Sequence, residues 1–433
     1  MLAPVNLGGA KQRLLPERIP ALFFGTAVLA QIAAWLALVL VADAWSSYAG
    51  GPGPVLAAVH ILTLGVLLCT AIGASLQMLP VILARPAPGE RICLCLFSAL
   101  AAGASALVFG FATSDTAAIA LGATLLLVVV LLYGWELGRL LAAAGTSAPT
   151  LRQHVGAALL SLTGGIALAL ALVGNYSFAF LPDHGRVAVA HATLVAFGFM
   201  GMLALGLSQV LIPMFAVAEP ASDTALALTF RLAAFALALA VTGELRGLPV
   251  VTAAAALLAL AAAAAHIRAM MRTVAGRMRR RLGPEFILIY VSWGALLLGL
   301  VIAGLLSLGL PPASGALLIA VVLYGWLLSL LTGVLQRVLP FLASMQVARL
   351  KARPLAPGKL VTDLPLKMHL CGHLVGLAAL VAGTLLAAPL LIVFAGSIGA
   401  IGAGAFAWFA AIVLLRTRTH LKTYPAGWKE TIA

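Results

Sequence analysis

The run VLAAVHILTLGVLLCTAIGASLQMLPVIL, residues 55–83, contains no formally charged side chain and one histidine, His60. It is longer than the roughly 20 apolar residues that cross a bilayer core as a helix. A second run, 187–216, is built the same way and carries Ala190-His191-Ala192-Thr193-Leu194-Val195 near its start. An ionisable side chain in hydrocarbon costs several kcal/mol unless something satisfies or uses it, so an intramembrane histidine is a functional candidate by default. His60 and His191 are therefore the first candidates.

The whole chain has this character. Of 433 residues, 63% are hydrophobic and 9% charged, against about 25% charged in a soluble domain. Twelve apolar stretches are long enough to span, near 21–42, 55–83, 92–113, 117–140, 155–174, 187–216, 224–243, 249–269, 286–308, 314–344, 366–386 and 390–415. The expected fold is an all-α integral membrane protein forming one domain over 1–433. A net charge of +14 could suit a nucleic acid, but the basic residues sort by side. With the N-terminus inside, 22 of the 26 fall on inner segments, including Lys11, the six arginines from Arg268 to Arg281, and Lys429. The positive-inside rule then places both termini in the cytoplasm of a bacterial-type inner membrane. The basic loops are topology determinants facing anionic lipid, and no nucleic-acid partner is expected. Residues 1–20 lack a signal peptide's apolar core and cleavage site, so the first span is expected to be retained. Cys69, Cys93, Cys95 and Cys371 lie in or at the ends of spans and suggest no disulfide framework.

The sequence repeats. Gly65, Gly73 and Pro80 stand at offsets matched by Gly198, Gly206 and Pro213, and again by Gly325, Gly333 and Pro340. Chance supplies about 0.2 such matches in a chain of this composition, so three are a signal. Each copy falls four spans after the last, which predicts three pseudo-symmetric four-helix units, approximately 21–140, 155–269 and 286–415. The three positions share a narrow stripe that admits either a neighbouring helix or a flat ligand. Gln77, Gln209 and Gln336 accompany the prolines, as ligand-facing amides or as caps at the inner helix ends.

Twelve spans in three arcs, with histidines near the outer ends of spans 2 and 6, resemble the catalytic subunit of haem-copper oxidases and nitric-oxide reductases. The string from His60 to Gly65, followed by Gly73-Ala74-Ser75-Leu76-Gln77-Met78-Leu79-Pro80, looks more like the shorter NnrS-type haem and copper membrane proteins linked to nitric-oxide stress. The resemblance implies a haem b held through His60 and places His191 where the oxidases have a copper ligand. It also implies electron transfer, nitric-oxide handling or metal handling, with a redox partner or a small gaseous ligand. Span 7 lacks the copper family's histidine pair, Val195 stands where a tyrosine is expected, and span 10 has no histidine. The usual oxygen-reducing centre is thus incomplete. If the chain is an enzyme, it is an oxidoreductase.

Other residues leave alternatives open. Relative to their repeat glycines, His60 and His191 are about 160° apart at 100° per residue, so they serve one centre only if their helices differ in rotation. His369 and His373, an i, i+4 pair in span 11, suit one shared metal or a water-satisfied interfacial pair. Arg337 can snorkel to the cytoplasmic face, and Arg231 either does likewise or holds an anion such as a haem propionate. Trp135 reads as an interfacial anchor, and Trp326, near mid-span, as core or as a stacking surface. His154, His266 and His420 read as cytoplasmic surface groups, and His184 as part of the outer loop. A cofactor-free secondary transporter is the alternative class, since twelve-helix bundles with glycine- and proline-interrupted spans also serve transport. No nucleotide-binding glycine loop or metalloprotease motif is visible.

Overall fold

The computed structural model describes residues 13–425, so Lys11 and Lys429 lie outside the described residues. Twelve apolar helices follow in order: α1 Arg18–Leu40, α2 Pro54–Ile82, α3 Glu90–Thr113, α4 Thr116–Ala143, α5 Pro149–Phe178, α6 His184–Ala216, α7 Asp223–Arg246, α8 Pro249–Ala275, α9 Pro284–Ser307, α10 Gly315–Arg349, α11 Asp363–Leu385 and α12 Pro389–Thr423. There is no strand among the described residues. The chain is an all-α, multi-pass membrane protein, and its outer faces contact the lipid bilayer.

Local signals set the helix starts. Pro54, Pro149, Pro249, Pro284 and Pro389 occupy first turns, where a missing N–H costs nothing. Asp115, Asp183, Ser222 and Ser314 accept backbone N–H groups as N-caps, supplying partners the first turn otherwise lacks. α5 and α8 run beyond their apolar cores, starting at Pro149 and ending at Ala275.

Nine helices form a closed circuit. α12 packs on α1, α1 on α3, α3 on α4, α4 on α5, α5 on α7, α7 on α8, α8 on α9, α9 on α11 and α11 on α12. Inside stand α2, α6 and α10, with 67%, 61% and 78% of their most apolar windows buried, against at most 50% elsewhere. The large hydrophobics confirm this: Leu29, Leu131, Leu160, Leu257 and Leu298 of the ring are exposed, whereas α2 and α10 expose none. All-round apolar sequence therefore marks the centre, because only there does every helix face need an apolar partner.

The glycine stripe is what lets the central helices in. A Cβ on Gly65 or Gly73 would lie 2.9 Å from Ala30 Cβ or 2.6 Å from Phe23 Cβ. On Gly198 or Gly206 it would meet Ser161 Cβ at 2.6 Å or His154 Cβ at 2.8 Å, and on Gly325 or Gly333, Ala295 Cβ at 3.0 Å or Leu288 Cβ at 3.1 Å. The stripe thus faces the preceding span each time, against two residues seven apart. At these positions the stripe seats a neighbouring helix.

Each central helix also contains a π-helical segment: Ile61–Leu68, Leu194–Gly201 and Ala320–Leu328. The first glycine of each repeat falls fifth, fifth and sixth in its segment. The segment of α10 touches those of α2 and α6, partly through Trp326 stacked on Phe197 at 5.4 Å between ring centroids. Trp135, by contrast, is exposed, as an interfacial anchor should be.

Three expectations need correction. His154 and His266 are not surface groups: they are 0% and 2% exposed, because α5 starts before its apolar stretch and α8 continues past its own, which leaves both rings inside the bundle. Arg337 does not snorkel. Its Nε donates to Glu285 Oε1 at 2.8 Å, with Arg279 3.7 Å from the same oxygen, so a cation that sequence alone sends to the interface is neutralised within the protein. Arg231, by contrast, is exposed on the flank of α7, as the snorkelling alternative expects.

Gly73→Ala, which forces a Cβ to within 2.6 Å of Phe23 Cβ, is expected to destabilise the protein by about 1–3 kcal/mol through overpacking. Gly138→Ala, with nothing within 4 Å, serves as the control. Equal melting temperatures for the two variants in detergent would refute the packing role of the stripe.

Candidate functional site

All eight histidines lie within the twelve helices, His184 and His420 close to helix ends, and the hydrogen bonds of the other six bear on where each proton sits. A carbonyl oxygen only accepts, so a ring nitrogen bonded to one must carry the hydrogen, and the other nitrogen of a neutral ring is then a bare lone pair. His60 Nδ1 donates to Leu56 O at 2.9 Å, His154 Nδ1 to Thr150 O at 2.8 Å, His191 Nδ1 to Gly165 O at 2.8 Å and His369 Nδ1 to Gly402 O at 3.1 Å. All four expose Nε2 as a lone pair.

The other two meet a serine instead. Ser208 donates its hydroxyl hydrogen to Leu205 O at 2.9 Å, so it accepts from His266 Nε2–H at 2.8 Å. Ser329 Oγ lies 2.7 Å from His373 Nε2, and its 3.4 Å approach to Tyr324 O is too long to commit the hydroxyl hydrogen to that carbonyl. Nδ1 is the bare nitrogen of His266. Ser75 follows the pattern without a histidine, donating to Ala71 O and accepting from Tyr133 at 2.8 Å. Ser75 and Tyr133 recur as Ser208 and His266, each 133 residues later, the spacing of Gly65 and Gly198. That spacing is the signal by which sequence reasoning could have found His266.

A ring whose N–H is tied to a backbone carbonyl while its other nitrogen is bare is the usual state of a metal-ligating histidine, because the hydrogen bond fixes tautomer and orientation. His60 lines an apolar cavity of about 260 Å³ among α1, α2 and α3, together with Ala30, Gly65, Phe97 and Ala101. The Phe111 ring lies 4.7 Å from its own. His60 and His191 are near enough to interact electrostatically. Neither His60 Nε2 nor His191 Nε2 has a hydrogen-bond partner among the described residues.

His369 and His373 are fully buried, with ring centroids 5.7 Å apart. Phe406 lies 4.9 Å from the first and Trp35 5.9 Å from the second. His369 Nε2 and His373 Nδ1 are buried without partners, as are His154 Nε2 and His266 Nδ1. The glutamines are buried rather than capping a polar helix end. Gln77 Oε1 accepts from Leu15 N at 3.3 Å, and neither amide atom of Gln336 has a partner. The amide of Gln209 lies 3.3 Å from His154 Nδ1. Because that ring nitrogen bears a hydrogen, the amide oxygen is the atom that belongs against it. His184 meets Asn175 at 3.1 Å near the end carrying α6's start, and His420 donates to Arg353 O at 2.8 Å. The four cysteines are free thiols.

A larger groove of about 480 Å³ lies among α6, α7, α8, α9 and α10. Its walls are mostly alanine, glycine and leucine, with Arg186 and Glu244 near one end and Trp326 deeper in. No histidine lines it.

No protein-family model matches this chain, and no curated protein matches it as a relative.

Ser208→Ala leaves the His266 N–H buried without an acceptor and is expected to cost roughly 1–3 kcal/mol. Ser307→Ala removes only a bond within its own helix and should cost less. Thermal unfolding in detergent compares the two, and a Ser208→Ala melt matching the parent would reject this proton assignment.

Proposed function

We propose that this chain is a b-type haem-binding inner-membrane protein of the haem-copper-oxidase-like superfamily, nearest in kind to the NnrS-type proteins, with both termini cytoplasmic. On this reading the spans form three four-helix units. The recurring glycine contacts and the three π segments support that grouping. The observation that carries the haem reading is the pair of bare imidazole nitrogens at His60 and His191, each held in its tautomer by a backbone carbonyl. A haem iron takes neutral imidazole and needs apolar walls for its macrocycle, and the chain supplies both at His60.

Haem, when bound, supplies one-electron chemistry and a place for a diatomic gas such as nitric oxide. The protein's own part is to orient the two rings, to fix their tautomers through their N–H bonds, and to exclude water with Phe97, Phe111 and the aliphatic lining. His369 and His373 are the residues that would hold a second metal, with copper the candidate. A complete oxidase-type copper centre is not part of this reading, because α7 contains no histidine.

A second reading, a secondary transporter, is favoured by the 480 Å³ groove. Its volume falls within the roughly 300–1,000 Å³ typical of small-molecule sites, and its small-residue walls suit an apolar passenger.

Protein purified from membranes is expected to show a Soret band with bis-imidazole features. His60→Ala and His191→Ala should each abolish or convert that spectrum, whereas His184→Ala should leave it unchanged. A colourless preparation that still binds no added haem would overturn the proposal, and uptake of a solute by vesicles containing it would favour the transporter.

A further inference from the structure

Among the described residues Glu285, in the first turn of α9, is the one carboxylate that answers two arginines. Arg337 of α10 donates to its Oε1 at 2.8 Å, and Arg279, in the loop between α8 and α9, stands 3.7 Å from the same oxygen. The Glu285 side chain is 4% exposed, whereas those of Arg337 and Arg279 are 20% and 32% exposed. The cluster is thus sunk into the protein and open on its arginine side. Its charges do not balance. Two guanidinium groups against one carboxylate leave one positive charge over, and neither arginine forms a second ion pair among the described residues. Arg279 Nη1 also donates to Phe215 O at 3.2 Å, while Arg337 Nη2 is buried with no hydrogen-bond partner. The loop is held in place from outside, since Met278 N donates to Val217 O at 3.0 Å and ties it to the end of α6. A cation held half out of water with a donor unused is costly unless an anion meets it.

We propose that Arg279 and Arg337 hold the phosphodiester of an anionic phospholipid from the leaflet at this end of the bundle. Guanidinium matches phosphate oxygens in pairs and is the side chain of choice for that group. Charge selects the form of the phosphate. A phosphodiester carries one negative charge and cancels the excess, whereas a phosphate bonded to a single carbon carries about 1.5 to 2. A zwitterionic headgroup would bring its ammonium towards Arg280 and Arg281, both exposed in the same loop, so a headgroup without a cation fits better. The neighbourhood points to lipid over a free ion: Met271, Met278 and Ile287, on either side of Arg279 in the chain, are exposed apolar side chains on which acyl chains can lie. Basic loops in general draw anionic lipid diffusely, within a Debye length; a cluster fixed by Glu285 selects one molecule. The proposed topology makes this the cytoplasmic leaflet, and the site itself does not depend on the haem reading.

The test uses the full-length protein in detergent, stripped of native lipid and titrated with phosphatidylglycerol while native mass spectrometry counts the molecules bound. One phosphatidylglycerol should survive activation that removes the others. Arg279→Gln should weaken its binding by roughly tenfold or more, as expected for loss of a charged hydrogen bond, and should lose the rise in melting temperature that the lipid gives the parent. Arg337→Lys keeps a cation for Glu285 but not the planar fork; it too should bind more weakly, and it carries the test if Arg279→Gln does not fold. The double variant Arg280→Gln/Arg281→Gln removes more charge from the same loop and should keep the tightly held molecule. Visible absorption assigned to haem should be unchanged in all of them, so this site and the haem reading fail separately. A parent that retains no phosphatidylglycerol would overturn the proposal. So would equal weakening in the double variant and in Arg279→Gln, phosphatidylethanolamine held as tightly, or displacement of the lipid by inorganic phosphate.

Discussion

Close approach of the three central helices to the helices that precede them is the contact on which the bundle depends. At Gly73, Gly206 and Gly333 there is no room for a side chain, and lipid offers no hydrophobic force to push helices together, so packing of this closeness is itself the attraction. The residue that takes the vacated space on α5 is His154, whose Cβ sits against Gly206. One glycine therefore both docks α5 and draws an imidazole into the middle of the protein.

The π segments act on the same helices further along. An i→i+5 turn widens the helix and shifts the phase of everything beyond it, and such segments cluster at functional sites. Here they separate His60 from Gly65 and His191 from Gly198. The glycines can then stay in register with the outer ring while the histidines take up positions that a uniform α-helix would not give them. Phe197 and Trp326 belong to two of these segments and stack on each other, so the wide turns also form the joint between α6 and α10.

Much of this was legible in the residues, because hydrocarbon leaves few options. Twelve spans follow from apolar length, and the Gly-Gly-Pro spacing marks out the second, sixth and tenth, though their place at the centre emerges only from the packing. The errors have a common origin. Hydropathy ends a span at its first polar residue, so His154 and His266 fell just outside or at the edge of the apolar windows and read as surface. A charge such as Arg337 looked bound for the interface because nothing in its own helix answers it. Its partner, Glu285, lies 52 residues away at the start of α9. Tertiary neutralisation of this kind has no local signature. His266 did have one, in the 133-residue recurrence of the Ser75 and Tyr133 pair, which becomes readable once a repeat is used to align polar residues as well as glycines. The proton positions required the carbonyl and hydroxyl partners, which come from other turns or other helices.

The bare nitrogens pose an energetic question that the fold alone does not answer. Four of them, on His154, His266, His369 and His373, are buried with no partner. Leaving a buried acceptor unsatisfied costs on the order of 1–3 kcal/mol, so four together cost on the order of 4–12 kcal/mol. That is comparable to the whole net stability of a typical domain, roughly 5–15 kcal/mol. Phenylalanine or leucine at these positions would fill the space without the cost. An arrangement that keeps each imidazole, fixes its proton on the far nitrogen and leaves the near one open is the one expected if a Lewis acid completes it. A ligand bound only by the folded protein adds its own binding energy to stability. Loading and folding strength would then rise together, with the same four rings setting both.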